Sequence, residues 1–573
     1  MCKKFNGIGA SNGIALAKVY ILKEEPIIIK DEETKNIDEE ISLINSSIEK
    51  AKKDLENLKN IAKDKLGEEK AAIFEAHASI LEDPVMSEEF VSLIKHKKYS
   101  ASKSISEVAN KYIEMFKAMD DQYFQERAAD IKDVTERLLR YVLKLTVLDL
   151  ATINEEVVIV AEDLTPSQTA QLNPLFVKGF ACNVGGRTSH AAIMARSLEI
   201  PAVLGLKDIL SKVKPNDIIA INGSNGDVEL NPEDKKTWEN LSNAFKQEKE
   251  ELKKMKDQPT LTKDGYDKFI LEANIGSPKD VEGVLENGAE GIGLFRSEFL
   301  YMDNDHFPTE EEQFNSYKEV VEKMNNKLVV IRTLDIGGDK KLSYFNFPSE
   351  MNPFLGYRAI RFTLDRKDIF RDQIRALLRA SAYGHLGIMF PMIATIDEFL
   401  AAKDFTLECK KELEKEGHKI GKNLEIGMMV EIPAAAVNAE NFAKHADFFS
   451  IGTNDLIQYS MAADRMSENV AYLYQPYNPS ILNLIKMTID GGHKHNRWVG
   501  MCGEMAGEPN ALPLLMGLGL DAYSMSATSV LKARSIMSKL TLKDTQELSE
   551  KALKCDKTDD VLKLVKDLMD KSL

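Results

Sequence analysis

Apolar residues recur with two different periods along this 573-residue chain, and the change of period divides it. In 35–64, Ile41, Ile48, Leu55 and Ala62 share one heptad position, and Ile44, Ala51 and Leu58 follow the first three by three residues. That spacing predicts a long helix with a narrow apolar seam. Helical spacing continues through 68–82, 86–96, 101–118 and 125–143, with Asp83-Pro84 as a stop, so 25–145 reads as an all-helical insertion with acidic exposed faces. From 157 the runs turn short and β-rich, at 157–160, 179–182, 202–204, 218–221 and 227–230, which predicts a compact α/β domain. Residues 233–257 are nearly all polar or charged helix formers, as expected of a solvated helix that bridges two bodies and can act as a pivot. Beyond them, eight apolar strand candidates lie near 269–275, 290–295, 328–332, 386–390, 426–430, 447–451, 498–502 and 522–525. Helical periodicity separates each from the next, so the expected fold of 262–573 is a (β/α)8 barrel ending in amphipathic helices at 543–571. There is no internal repeat and no low-complexity tract.

A chain of this length exceeds one core and suggests three or four domains. The formal charge of -16 opposes nonspecific binding to nucleic acid or anionic membrane and suits a basic protein partner. Five scattered cysteines without a C-x-x-C pair argue against a disulfide framework or a zinc site and fit a reducing cytoplasm. The N-terminus lacks a signal-peptide core and no run of about 18 apolar residues follows, so the expectation is a cytoplasmic protein without direct membrane insertion.

The candidate chemistry starts at Gly-Gly-Arg-Thr-Ser-His, 185–190, where an apolar strand gives way to the amphipathic segment 191–198. The paired glycines let backbone approach a bulky anion, Thr188 and Ser189 can cap the helix, and its free N–H groups favour negative charge. His190 is therefore read as a nucleophile that becomes phosphorylated. Its alternative role is that of an ordinary first-turn residue behind an N-cap.

In a (β/α)8 barrel, chemistry gathers at the carboxyl ends of the strands, and here those ends are charged. Strand two ends at Arg296, strand three at Arg332, strand five at Glu431, strand six at Asn454-Asp455 and strand seven at Cys502 and Glu504, with Arg358 and Arg465 in following loops. Neighbouring strands lie about 5 Å apart, so Glu431 and Asp455 can share a hard divalent cation, magnesium being the natural choice. The guanidinium forks of Arg296 and Arg332 match phosphate or carboxylate oxygens, implying a small polyanion as substrate and phosphoryl transfer as the reaction. No P-loop and no strand-to-helix Gly-x-Gly-x-x-Gly is present, so the donor need not be ATP. Cys502 is placed to give a proton to a carbanion or enolate, although alone it reads as a small buried apolar residue. His77, His385, His493 and His495 read as surface or packing residues.

These motifs closely resemble those of enzyme I of the bacterial phosphoenolpyruvate-dependent sugar phosphotransferase system, the phosphoenolpyruvate-protein phosphotransferases. The resemblance runs from Gly7-Ile-Gly-Ala-Ser-Asn-Gly-Ile14 through Asp163-Leu-Thr-Pro-Ser167 and 185–198. It continues through Asp335-Ile-Gly-Gly-Asp339, Asn352-Pro-Phe-Leu-Gly356 and 447–455 to Gly500-Met-Cys-Gly-Glu504. It implies a swivelling phosphohistidine α/β domain made of 1–24 and 146–231, a helical phosphocarrier-docking domain at 25–145, a linker helix at 232–261, and a phosphoenolpyruvate-binding and dimerisation barrel at 262–573. It further implies that phosphoenolpyruvate phosphorylates His190, which passes the group to a histidine of the phosphocarrier HPr. Arg296, Arg332 and Arg465 would hold the substrate with help from Asn454, Arg358 sits in a matching motif, Glu431 and Asp455 would hold Mg2+, and Cys502 would protonate enolpyruvate. Glu68, Glu69, Asp83 and Arg127 match carrier-contact positions, and a homodimer through the barrel is implied. One departure is Ile432 in Glu431-Ile432-Pro433, where the family often has threonine; it puts only local packing in question. A nucleotide-linked dikinase or synthase would need an ATP-binding domain for which 25–145 is too short and too helical. A regulatory protein that senses rather than turns over remains as an alternative of a different class.

Overall fold

The computed structural model describes all residues except 1, 24, 31–32, 67, 118–121, 146–149, 151–152, 170, 187–188, 303, 339, 341, 343, 466 and 573; within helices, the side chains of 61–73, 122–126, 129, 166–167, 190, 197 and 468 are also outside the described set. The chain divides into two compact units, 1–248 and 249–573.

In the first unit, eight strands form one mixed sheet: β1 (Lys3–Asn6), β2 (Ile8–Ser11), β3 (Ile14–Ile21), β4 (Val157–Ala161), β5 (Val177–Cys182), β6 (Ala202–Leu204), β7 (Ile218–Asn222) and β8 (Asp227–Leu230). Their order is β1-β8-β7-β3-β4-β5-β6-β2. β3 and β4 are parallel neighbours, with Lys18 opposite Val157 and Ile21 opposite Val160. Everything between them is thus an excursion from one sheet position to the next, and that excursion is helical. Its helices are Ile37–Leu66, Glu68–Leu81, Pro84–Lys97, Ala101–Lys117 and Gln122–Val142. The heptad seam packs as its spacing requires: Ile44, Ala51, Leu55 and Leu58 are buried with Phe74, Phe90, Ile105 and Leu138, while Ile41 and Ile48 lie at the edge of that core. The side chain of Ala62 lies outside the described residues. Asp83-Pro84 is a start as much as a stop, because Asp83 caps the next helix by accepting from the N–H groups of Val85 (2.7 Å) and Met86 (3.2 Å), and Pro84 fills a first-turn position that needs no donor.

The three N-terminal strands have no counterpart in the periodicity; β1 and β2 are four-residue runs separated by Gly7 that carry too little pattern to register, and the eight-residue β3 follows them after Asn12 and Gly13. The polar stretch after β8 forms the helix Lys235–Lys253, in which no residue is buried.

The second unit is a closed barrel of eight parallel strands: β9 (Ile270–Ile275), β10 (Gly291–Arg296), β11 (Val329–Arg332), β12 (Leu386–Phe390), β13 (Leu424–Val430), β14 (Phe448–Ile451), β15 (Trp498–Met501) and β16 (Ala522–Met525), with β16 closing on β9. Each lies within two residues of its expected position. The strands are almost wholly buried because helices cover their outer faces and side chains fill the lumen, where the Phe448 and Trp498 rings stack at 4.5 Å. No helix among the described residues is long and apolar enough to cross a membrane.

Candidate active site

The histidine segment is built from backbone. After β5, Gly185 takes φ +104°, a conformation that excludes most side chains, whereas a Cβ on Gly186 would meet nothing within 4 Å. Gly185 therefore serves the turn and Gly186 leaves open space beside it. Ser189 is the N-cap of the helix His190–Ser197, its hydroxyl accepting from the Ala192 N–H at 3.3 Å, so His190 occupies the first helical position. Ala191, Ala192 and Ala195 are buried against the sheet, small enough to hold the helix close to it. Arg187, Thr188 and the ring of His190 lie outside the described residues.

The barrel mouth is built from side chains. Arg296 and Arg332 are the last residues of adjacent strands and stand opposite each other in register. A cavity of about 500 Å3 opens there, lined among others by Arg296, Arg332, Arg358, Glu431, Asn454, Asp455, Arg465 and Cys502. Every barrel residue singled out from the sequence thus meets in one place. Glu431 directly follows β13, as expected, but Asn454 and Asp455 lie in the first turn of the helix Thr453–Met461 rather than at a strand end.

Two arginines are locked and two are open. Asp335 accepts from Arg332 and from Arg358, each at 2.9 Å, and Glu298 holds the other side of Arg332 at 2.5 Å, with Lys340 bridging both carboxylates at 2.8 and 3.1 Å. All but Lys340 are buried. Burial opposes ionisation of Asp335, yet the charges of Arg332, Lys340 and Arg358 hold its carboxyl well below the usual range. Arg296 and Arg465 line the same cavity without an ion pair to another described residue.

The two carboxylates expected to share a cation line the same cavity. Glu431 spends one oxygen on the Met392 N–H at 2.6 Å; the other lies near Gly452, where a Cβ would sit 3.0 Å from it. Burial and then the charge of Asp455 push the Glu431 carboxyl up to about 8. Asp455 Oδ1 is buried with no hydrogen-bond partner among the described residues, its nearest cation being Arg358 at 4.0 Å. A buried, unpartnered carboxylate oxygen beside a second carboxylate fits a hard divalent ion. No cluster of three or more such side chains occurs among the described residues, so an ion here would complete its shell with ligand or water oxygens.

Cys502 follows β15 and is buried. Burial raises its thiol to about 11, offset only in part by Ser450 and Arg332, so the thiol carries its proton at neutral pH. Tyr474 donates to Asn454 Oδ1 at 2.9 Å, which turns that amide. Ile432 precedes Pro433 as the N-cap of a short helix without a side-chain cap bond and packs on the barrel core instead, so the missing threonine hydroxyl is replaced by apolar contact.

In the helical region, Asp83 is engaged as an N-cap and Arg127 lies 3.4 Å from Asp130. The side chains of Glu68 and Glu69 lie outside the described residues. His77 is fully buried beside Asp130, at 3.2 Å, a packing role as expected.

Three family models cover most of the chain: PEP-utilising enzyme, N-terminal, over residues 6–127; PEP-utilising enzyme, mobile domain, over 153–226; and PEP-utilising enzyme, PEP-binding domain, over 249–542. The chain is 62% identical over 571 residues to a phosphoenolpyruvate-protein phosphotransferase of Mycoplasma capricolum and 54% identical over 568 residues to one of Staphylococcus aureus, in each case across 99% of both chains. The chain belongs to the phosphoenolpyruvate-protein phosphotransferase family. Among solved structures, an NMR structure of an Enzyme I (nEIt) protein is 37% identical, covers 42% of this chain and 99% of its own, and has a TM-score of 0.40.

Strand-end reasoning missed Glu298, two residues past Arg296 but paired with Arg332, and Asp335 and Lys340, three and eight residues past Arg332, of which Asp335 pairs with that arginine and Lys340 with both carboxylates. Asp335 opens the Asp-Ile-Gly-Gly-Asp stretch and Lys340 directly follows it; the paired glycines, with φ +104° and +69°, fold the chain back so that Lys340 reaches Asp335. Charges flanking a glycine pair just beyond a strand were the available signal.

Proposed function

We propose that this chain transfers the phosphoryl group of phosphoenolpyruvate to its own His190 and then to a histidine of the phosphocarrier HPr, releasing pyruvate, as the first general step of sugar uptake by the phosphotransferase system. The observation that carries this reading is the asymmetry of the barrel mouth. Arg332 and Arg358 are neutralised in place, while Arg296 and Arg465 stay open beside two carboxylates in a cavity sized for a small polyanion.

On this reading Arg296, Arg332 and Arg465 take the phosphate and carboxylate oxygens, in a pocket whose groups are already oriented before the ligand arrives. Arg358, held by Asp335, adds positive charge from behind, and Asn454, turned by Tyr474, donates its amide. Glu431 and Asp455 would hold magnesium, which would neutralise substrate charge and stabilise the enolate oxygen as it forms. An imidazole nitrogen of His190 forms the N–P bond as the bond from phosphorus to the enol oxygen breaks. The resulting enolate takes the proton of Cys502 at its terminal carbon, forming the methyl group and leaving a thiolate. The helix N-terminus favours the neutral imidazole that can attack, and it then faces the phosphoryl charge.

Because His190 and the cavity belong to different units, the histidine must travel between the cavity and the carrier. The five-part division at 24, 145, 231 and 261 is the framework for that motion. Acidic faces of the helical region suit a basic carrier, with Glu68, Glu69, Asp83 and Arg127 as contacts, and the barrel pairs in a cytoplasmic homodimer.

The test is to mix the full chain with magnesium and radiolabelled phosphoenolpyruvate and map the adduct. An acid-labile label on the peptide containing His190, transferred on addition of HPr, is expected. Labelling from ATP, or pyruvate release that stops after one equivalent with HPr present, would overturn the reading.

A further inference from the structure

The thiol of Cys502 has Ser450 beside it, and the residue's backbone is held from two sides. Its N–H donates to the Ile451 carbonyl at 3.1 Å, and its carbonyl accepts, also at 3.1 Å, from Nδ2 of Asn274 on β9, two strands away round the barrel. The Asn274 amide is itself oriented: its Oδ1 accepts from the buried hydroxyl of Ser524 on β16 at 2.6 Å. Turning the amide over would set its oxygen against the Cys502 carbonyl and lose that bond, so the carbonyl fixes the orientation that Ser524 then supports. On the far side, Gly503 is wedged against the helix that carries Asn454 and Asp455, where a Cβ would come within 1.8 Å of Thr453 Oγ1 and 2.8 Å of its backbone nitrogen. The turn bearing the thiol is thus gripped between the helix with the carboxylate and one asparagine, and that asparagine is the side chain that holds the Cys502 backbone carbonyl.

We infer that Asn274, oriented by Ser524, is a positioning residue that fixes the Cys502 thiol against the face of the bound enolate, an inference that rests on Cys502 being the proton donor. Without the amide bond the Cys502 peptide can rotate about its remaining attachment, and sub-ångström placement of a reacting group is where rate is lost fastest. Asn274 and Ser524 are not among the residues that line the anion-binding cavity, so substrate affinity should not follow the loss.

The experiment measures turnover, phosphoenolpyruvate affinity and the configuration of the pyruvate methyl group in the full-length enzyme with magnesium and HPr. Stereospecifically deuterated phosphoenolpyruvate in tritiated water records which face of the enolate is protonated. Asn274→Leu, which keeps the volume and removes the donor, should lower turnover by about 10- to 100-fold, leave affinity within about twofold, and yield methyl groups of mixed configuration. Ser524→Ala, which frees the amide without deleting it, should show the same pattern in smaller degree. Turnover and methyl chirality equal to the parent in Asn274→Leu would overturn the inference. If that variant unfolds, unaltered chirality and rate in Ser524→Ala would overturn it as well. Cys502→Ala run in parallel separates the two readings: full turnover with chiral product there removes Cys502 as donor, whatever Asn274 does.

Discussion

The turn that presents His190 and the mouth of the barrel solve opposite problems with opposite materials. Around His190 the structure relies on backbone: a glycine at positive φ, open space beside Gly186, one serine cap and a helix held to its sheet by alanines. At the barrel mouth it relies on charge, with Arg332, Arg358, Glu298 and Asp335 interlocked out of water and Lys340 bridging the two carboxylates from the edge. A group that must travel and meet two partners gains from a small, weakly charged mounting, since desolvated charges would have to be rehydrated at each departure. A stationary pocket that receives a polyanion gains from charges whose desolvation was settled when the protein folded.

This contrast breaks most sharply at His190→Ala. That variant should lose all labelling by phosphoenolpyruvate yet bind it with parental affinity by calorimetry, because the barrel holds the ligand by itself; absent binding would show that the two sites do not act separately.

Next in size is Asp335→Ala, which takes from buried Arg358 its one close carboxylate and leaves Arg332 with Glu298 alone. Removing one partner of a buried ion pair typically costs about 3–5 kcal/mol. The barrel's unfolding transition in denaturant should fall by that order while the first unit's stays in place, and a drop of less than 1 kcal/mol would mean the network is not desolvated.

A smaller effect tests the paired carboxylates. The Glu431 carboxyl sits at about 8 against an ordinary 4.5, so the native state holds this proton more tightly than the unfolded chain does. Its stabilising contribution is therefore complete below pH 4.5 and is lost as pH rises toward about 8. Thermal scans without magnesium should show barrel stability declining across that window, and magnesium should oppose the decline, binding more tightly with rising pH as the proton leaves. Glu272, buried in β9 and also raised to about 8, contributes to the same decline but not to the magnesium response. Glu272→Gln should flatten the metal-free curve and leave the magnesium effect unchanged.

The smallest change sharpens the other side. Ser189→Ala removes a single cap bond and should lower the first unit's stability by about 1 kcal/mol, with slower labelling of His190 and no effect on ligand binding by the barrel.

Much of this architecture was legible from local pattern. A 3.5-residue seam buries Ile44, Ala51 and Leu58 whatever the rest of the chain does, and eight apolar runs with charged ends place Arg296, Arg332 and Glu431 at one rim once the barrel closes. The two four-residue strands before Asn12 and the eight-residue strand Ile14–Ile21 were not legible, because their pairing partners lie about 200 residues away, as Lys3 opposite Leu230 and Ile14 opposite Asn222, and the first two are too short to carry a period. Nor was the division of the arginines into locked and open, which depends on where a glycine-paired loop returns Asp335 and Lys340 in space.

The order of residues by itself determined which segments became helix, strand and rim, since those choices follow from side-chain spacing along one backbone. Only the folded barrel decided which charges neutralise each other, which carboxylate oxygen stays unpartnered, and which asparagine on the first strand grips a cysteine 228 residues further on. Those outcomes depend on distances of 3 to 4 Å between strands that meet only when the sheet closes on itself.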